Sequence, residues 1–101
     1  MGTQFGERIR ELRTNNNLLL RQVAAMLDVD ASILSKIELG ERKAKKEQVL
    51  QLAKIYKTGA GELLTLWLSD QLYDVAKDED VGLKAIRMTE EKIKLEKPKG
   101  K

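Results

Sequence analysis

The stretch Leu20–Leu39, LRQVAAMLDVDASILSKIEL, decides how the rest of the chain is read. Leu20, Val23, Ala24 and Leu27 recur at the spacing of one helical face, and Asp28-Val29-Asp30 interrupts that stripe. Asp30 stands where a short polar side chain caps a further helix, in which Leu34 and Ile37 point inward. Gly40 supplies the stop expected just past a helix end. The small Ala24 suits a close helix crossing, and Val29 is placed to plug the three-residue turn.

Working outward, Phe5, Ile9 and Leu12 fall at i, i+4, i+7 behind a capping Thr3, and the run Asn15-Asn16-Asn17 ends this first helix. A fourth helix is predicted from about Lys46 to Lys57, with Val49, Leu52, Ala53 and Tyr56 inside. Gly59-Ala60-Gly61 breaks the chain, and from Leu63 to Ala76 nine of fourteen residues are apolar. A helix covering one core face needs about three or four apolar positions per two turns, so this one is expected to bury two faces. Something must pack on its second side. Asp78-Glu79-Asp80 would favour the start of a last helix, whose stripe is either Val81, Ala85 and Met88 or Leu83, Ile86 and Ile93. Pro98 is the sole proline and no strand-like alternation is sustained, so the chain is expected to be all-α with five or six helices.

Composition narrows the chemistry. A chain of 101 residues with 42% apolar and 35% charged residues is a single-domain, globular sequence. It holds no Cys and no His, which excludes thiol nucleophiles, Ser-His-Asp relays, zinc fingers and imidazole metal sites. No cofactor and no metal are expected. Charges interrupt every apolar run, and Glu7, Arg8, Arg10 and Glu11 stand where a signal peptide needs apolar residues. No membrane association is expected, and a reducing, cytoplasmic setting fits the absence of cysteine. Residues 1–58 hold 11 Lys and Arg against 7 Asp and Glu; residues 59–91 hold 3 against 8, and residues 92–101 hold 5 against 1. The basic front is where a polyanion would bind.

Two short helices joined by a three-residue turn have the build of a helix-turn-helix. Here the sequence strongly resembles the lambda-repressor and Cro-like (XRE-type) family of transcriptional regulators. The resemblance rests on Val23-Ala24, Leu27, Val29, Ser32, Leu34-Ser35-Lys36-Ile37-Glu38, Gly40, Arg42 and Val49-Leu50-Gln51-Leu52-Ala53. It spans residues 5–64 and implies a lambda-repressor-like bundle whose motif, residues 20–39, presents a recognition helix to the DNA major groove. By position, Ala31, Ser32 and Lys36 fall where family members contact base edges. Ser32 and Ser35 can donate or accept hydrogen bonds, Lys36 can reach a guanine edge or a phosphate, and Ala31 can touch only a thymine methyl. Arg42, Lys43, Lys45 and Lys46 follow the recognition helix as a cationic edge for phosphates. Arg13 and Glu38 match a pair that in the family ties the first helix to the end of the recognition helix. The chain departs from the pattern at Leu19 and Leu20, where a capping residue and a phosphate-binding Gln are usual. Either Arg21 takes that contact or Asn17 caps from slightly earlier. Asp28 replaces a frequent turn glycine, and Ala44 a frequent proline.

Plainer readings stand beside these. A run such as Arg42 to Lys46 is in general a solvated face; its place one turn after a recognition helix is what favours phosphate. Gly59-Ala60-Gly61 lacks the strand and the Gly-Lys of a phosphate loop and reads as a helix break. Asp70, Asp74 and Asp78 share a helix face, which a solvated stripe explains better than a magnesium site. Trp67 lies among leucines and reads as core or interface. The expectation is therefore a non-enzymatic, sequence-specific regulator, such as a prokaryotic repressor, binding double-stranded DNA as a homodimer on an inverted repeat. Residues 65–93 form its dimerisation extension, with Leu66, Trp67, Leu72, Tyr73 and Ile86 at the interface, and residues 94–101 a basic flexible tail. The alternative is an antitoxin or restriction-modification controller whose leucine-rich C-terminal helices bind a partner protein.

Overall fold

The computed structural model describes residues 2–97, and these form six α-helices with no strand among them. The first, α1 (Gln4–Asn15), begins as the sequence implies, with Thr3 Oγ1 accepting the Gly6 N–H at 2.9 Å. The donors that Thr3 cannot reach find a distant acceptor, because the Asp70 carboxylate accepts the N–H groups of Gln4 and Phe5 at 3.1 and 2.9 Å. A negative charge there also meets the positive end of the helix dipole. Asp70 is thus a cap for α1 rather than part of a solvated acidic stripe.

The next elements are α2 (Leu20–Leu27), α3 (Ala31–Leu39) and α4 (Lys46–Ile55). Each of the first four helices closes in the same way, on a residue of positive φ: Asn17, Asp28, Gly40 and Lys57. At every one of them a 6→1 bond, such as Leu18 N–H to Arg13 O at 3.1 Å or Thr58 N–H to Ala53 O at 3.0 Å, satisfies a terminal carbonyl. Asp28 therefore does the work of the glycine it replaces. Asn17, with φ 56°, ends α1 and does not cap α2. α4 stops two residues before the expected Lys57, since Lys57 itself takes the left-handed conformation. Asp30 occupies the position before α3 with extended backbone, but its side chain makes no capping bond.

The stripes read from sequence converge on one core. Phe5, Ile9, Leu12, Val23, Ala24, Leu27, Leu34, Ile37, Val49, Leu52, Ala53, Tyr56 and Leu63 are all buried, and Ala44 joins them from the loop before α4. Leu20 and Val29 pack on its edge. Two glycines set how closely the helices cross. A Cβ on Gly6 would lie 2.5 Å from the Glu38 carbonyl oxygen, so α1 and α3 meet backbone to backbone here. A Cβ on Gly40 would lie 2.9 Å from the Thr3 nitrogen, and its φ of 80° already favours glycine.

α5 (Ala60–Ala76) contributes to this unit only as far as Asp70. Leu63 is its one fully buried residue, with Leu64, Leu66 and Trp67 half-buried against the core. The second unit, described over residues 71–97, consists of the end of α5, a turn and α6 (Gly82–Glu96). Asp78-Glu79-Asp80 lies in the turn, and the first turn of α6 holds no acidic residue, so the expected charge at the helix start sits ahead of it. Gly82 permits the turn, since a Cβ there would stand 2.4 Å from the Ala76 carbonyl oxygen. α6 continues through Lys94 to Glu96, beyond the expected start of the tail. The remainder of that tail, residues 98–101, lies outside the described residues.

Candidate nucleic-acid interface

The motif residues are positioned by what α3 must bury. Leu34 and Ile37 enter the core and Glu38 follows them, which leaves Ser32, Lys36 and Leu39 exposed along the opposite side. Ala31, Ile33 and Ser35 are half-buried at its margins. Ser32, Ser35 and Lys36 therefore share the outer face of the helix, while Ala31 is partly occupied against the core. Leu39, 48% exposed, completes that face, a position the sequence reading passed over although the spacing 32, 36, 39 contains it.

The orientation of α3 is held by an ion pair. Arg13 Nε and Nη2 donate to the two Glu38 oxygens at 2.8 and 3.1 Å, and Arg13 Nη1 donates to the Leu18 carbonyl at 3.0 Å. One guanidinium so joins α1, the loop that follows it and the last turn of α3. Its hydrogen bonding to Glu38 holds the Arg13 pKa above the usual guanidinium value. Glu38 is almost wholly buried, which makes this a fork-to-fork pair shielded from solvent.

The cationic edge follows from an alternation in the loop before α4. Arg42, Lys43, Lys45 and Lys46 are exposed, whereas Ala44 turns inward and is buried. The Ala44 carbonyl accepts the Trp67 indole N–H at 2.8 Å, so the basic loop is fastened to α5 at its middle. Among the described residues no ion pair engages Arg21, Lys36, Arg42, Lys45 or Lys46, and their charge is available to an outside anion.

Helix starts add neutral donors to this surface. The Leu19 N–H is accepted by Gln22 Oε1 at 2.7 Å, and the Lys45 N–H by Gln48 Oε1 at 2.8 Å. The N–H groups that follow, at Leu20 and Arg21 on α2 and at Lys46 and Glu47 on α4, have no partner within their own helices. Exposed Arg21 lies in the first turn of α2, beside the two free donors there. Arg10 is a further cation that sequence reasoning missed. It is exposed on α1, and with Leu20, Ser35 and Leu39 it lines a groove of about 150 Å³ that runs to the outer face of α3. Its signal was its place three residues before Arg13 on the same helix.

The residues expected at a dimer interface separate. Leu66 and Trp67 are half-buried in the first unit, against its core. Leu72, Tyr73 and Ile86 belong to the second unit and are exposed, Tyr73 to 63%. No helix among the described residues is long and apolar enough to cross a membrane, and no cluster of acidic residues among them could hold a metal ion.

Compared with known proteins, residues 6–67 match a family model described as a helix-turn-helix domain. That span runs from α1 into α5 and takes in the whole surface just described. No curated protein and no solved structure gives a match.

Proposed function

The chain belongs to the helix-turn-helix domain family, and from that premise we propose that it is a sequence-specific transcriptional regulator that binds an inverted-repeat operator as a homodimer. The observation that carries the reading is the outer face of α3. Ser32, Ser35, Lys36 and Leu39 line it, the cations Arg42, Lys43, Lys45 and Lys46 flank it, and the Arg13–Glu38 pair fixes its angle. A helix narrow enough for the major groove can read base edges with such side chains, and the flanking cations take phosphates and set the register.

In this reading Lys36 contacts a guanine edge, Ser32 and Ser35 bond to neighbouring bases, and Leu39 or Ala31 meets a thymine methyl. Arg21 and the free N–H groups at the start of α2 hold one phosphate, and the loop from Arg42 to Lys46 holds those across the groove. No residue is assigned a catalytic role. A second reading leaves the DNA-binding front unchanged and gives the exposed apolar side chains of the second unit to a partner protein, as in an antitoxin or restriction-modification controller.

Selection of bound duplexes from a random pool tests both. The expected result is a short sequence repeated in inverted orientation. Binding with no enriched sequence would overturn the regulator reading, and enrichment of a single unrepeated half-site would favour the partner-protein alternative.

A further inference from the structure

Among its described residues the second unit has no core of its own. Of residues 71–97 only Gly82 is buried, while Leu72, Tyr73, Val75, Val81, Leu83, Ile86, Met88, Ile93 and Leu95 are all exposed. A hairpin of this length cannot offset the entropy of ordering two helices without burying apolar area, and an isolated 15-residue helix such as α6 is marginal in water. Between its helices runs an open groove of about 370 Å³, floored by Leu72, Val75, Ala76, Ala85, Ile86 and Ile93. Glu90 and Lys94 stand on its rim, 3.6 Å apart, so the rim carries both signs.

The charges at the two ends of the hairpin differ in sign. The turn end, residues 74–80, holds Asp74, Asp78, Glu79 and Asp80 against Lys77, and the far end of α6, residues 92–97, holds Lys92, Lys94 and Lys97 against Glu96. Two hairpins laid side by side in parallel would set acid against acid and lysine against lysine. Laid antiparallel, each acidic turn meets the partner's lysines. We infer that the groove is filled by the same hairpin of a second copy, the two α6 helices running antiparallel in a four-helix arrangement with its two-fold axis near Thr89. This rests on the homodimer reading above and specifies its surface and its register. The self-matching rim of Glu90 and Lys94 favours a second copy over a partner of one charge.

The test uses the full chain in three forms, each checked for helix content by circular dichroism. Asp78→Lys with Asp80→Lys reverses the turn, Lys92→Glu with Lys97→Glu reverses the other end, and Ile93→Asp spoils the groove floor. In sedimentation at low salt, each charge-reversed form should dimerise at least about tenfold more weakly than the unaltered chain. An equal mixture of the two should regain dimers that native mass spectrometry resolves as mixed pairs, and Ile93→Asp should be monomeric. A dimer indifferent to all three changes, or reversed forms that fail to pair with each other, would overturn this register and surface while leaving the homodimer reading intact. An unaltered chain that is monomeric at tens of micromolar would overturn the homodimer reading itself.

Discussion

Arg13 and Glu38 show how much of this domain depends on single contacts. Because Glu38 is nearly fully buried, removing its partner strands a carboxylate rather than deleting one bond. Arg13→Ala should therefore cost about 3–5 kcal/mol in urea denaturation, a large part of the stability of a small domain. Arg13→Met combined with Glu38→Leu should recover most of that loss, since no charge is then left in the interior. A double variant as unstable as Arg13→Ala would show that the pair's hydrogen bond to the Leu18 carbonyl matters more than its charge. Tyr56 poses the opposite case. Its hydroxyl is buried with no hydrogen-bond partner among the described residues, and burial, with the Glu38 charge as a lesser cause, pushes its pKa above the ordinary phenol value. The unfolded chain loses this proton near pH 10 while the folded chain keeps it. Its contribution is thus complete below about pH 10 and is lost as pH rises further, because the folded state then binds more protons. Tyr56→Phe should be more stable by about 1 kcal/mol at neutral pH and should lose less stability between pH 10 and 11. Destabilisation at neutral pH would mean that the hydroxyl is bonded in solution.

At the scale of elements, α3 and the basic loop should fail in different ways when altered if α3 is the recognition helix proposed above. Lys36→Ala should relax preference at one base position at a cost of about 1–3 kcal/mol. Changing Lys43 and Lys45 together to Ala should weaken binding to every duplex and flatten the salt dependence by about two counterions. Equal losses on all sequences for both variants would show that α3 does not read bases. Helix ends offer a separate check, since α4 closes on a lysine at φ 53°. A left-handed residue with a Cβ costs about 1–2 kcal/mol, so Lys57→Gly should raise the melting temperature, by a few degrees if about 1 kcal/mol is recovered. These ends mark the limit of what the sequence made legible. The apolar stripes of α1 to α4, Thr3 before α1 and Gly40 after α3 are local signals, and each found its place, whereas the second face expected of α5 and the stripe of α6 are exposed. Ordinary Lys57 carries no local mark of a helix end. Asp70, sixty-five and sixty-six residues from the N–H groups it caps, and Ala44, which holds the basic loop to Trp67, act through contacts that no spacing rule contains. Leu39 and Arg10 were legible by position but hidden by type, one reading as core and the other as a solvated charge.

For the whole molecule, affinity is the argument for two copies. Specific binding near 1 nM requires about 12 kcal/mol. In the proposed reading one α3 offers Ser32, Ser35 and Lys36 to bases, with Ala31 partly occupied by the core, and a good base contact is worth about 1–3 kcal/mol. Phosphate contacts supply more, but equally on every sequence. Two domains held together turn the second docking into an intramolecular step at millimolar effective concentration, which multiplies affinity without any new kind of contact. The full chain should therefore bind an inverted repeat, with half-sites about one helical turn or roughly 34 Å apart, at least about a hundredfold more tightly than a single half-site. A chain ending after Asp70 should lose that advantage and still fold, because it keeps the carboxylate that caps α1 and the indole bonded to Ala44. Ending it earlier, at Thr65, would remove both. Emission from Trp67, the only tryptophan, reports whether the shortened domain is intact, and titration of labelled duplexes compares the two sites. If the full chain bound the half-site as tightly as the repeat, or the shortened chain kept its preference for the repeat, the second unit would have no part in DNA recognition.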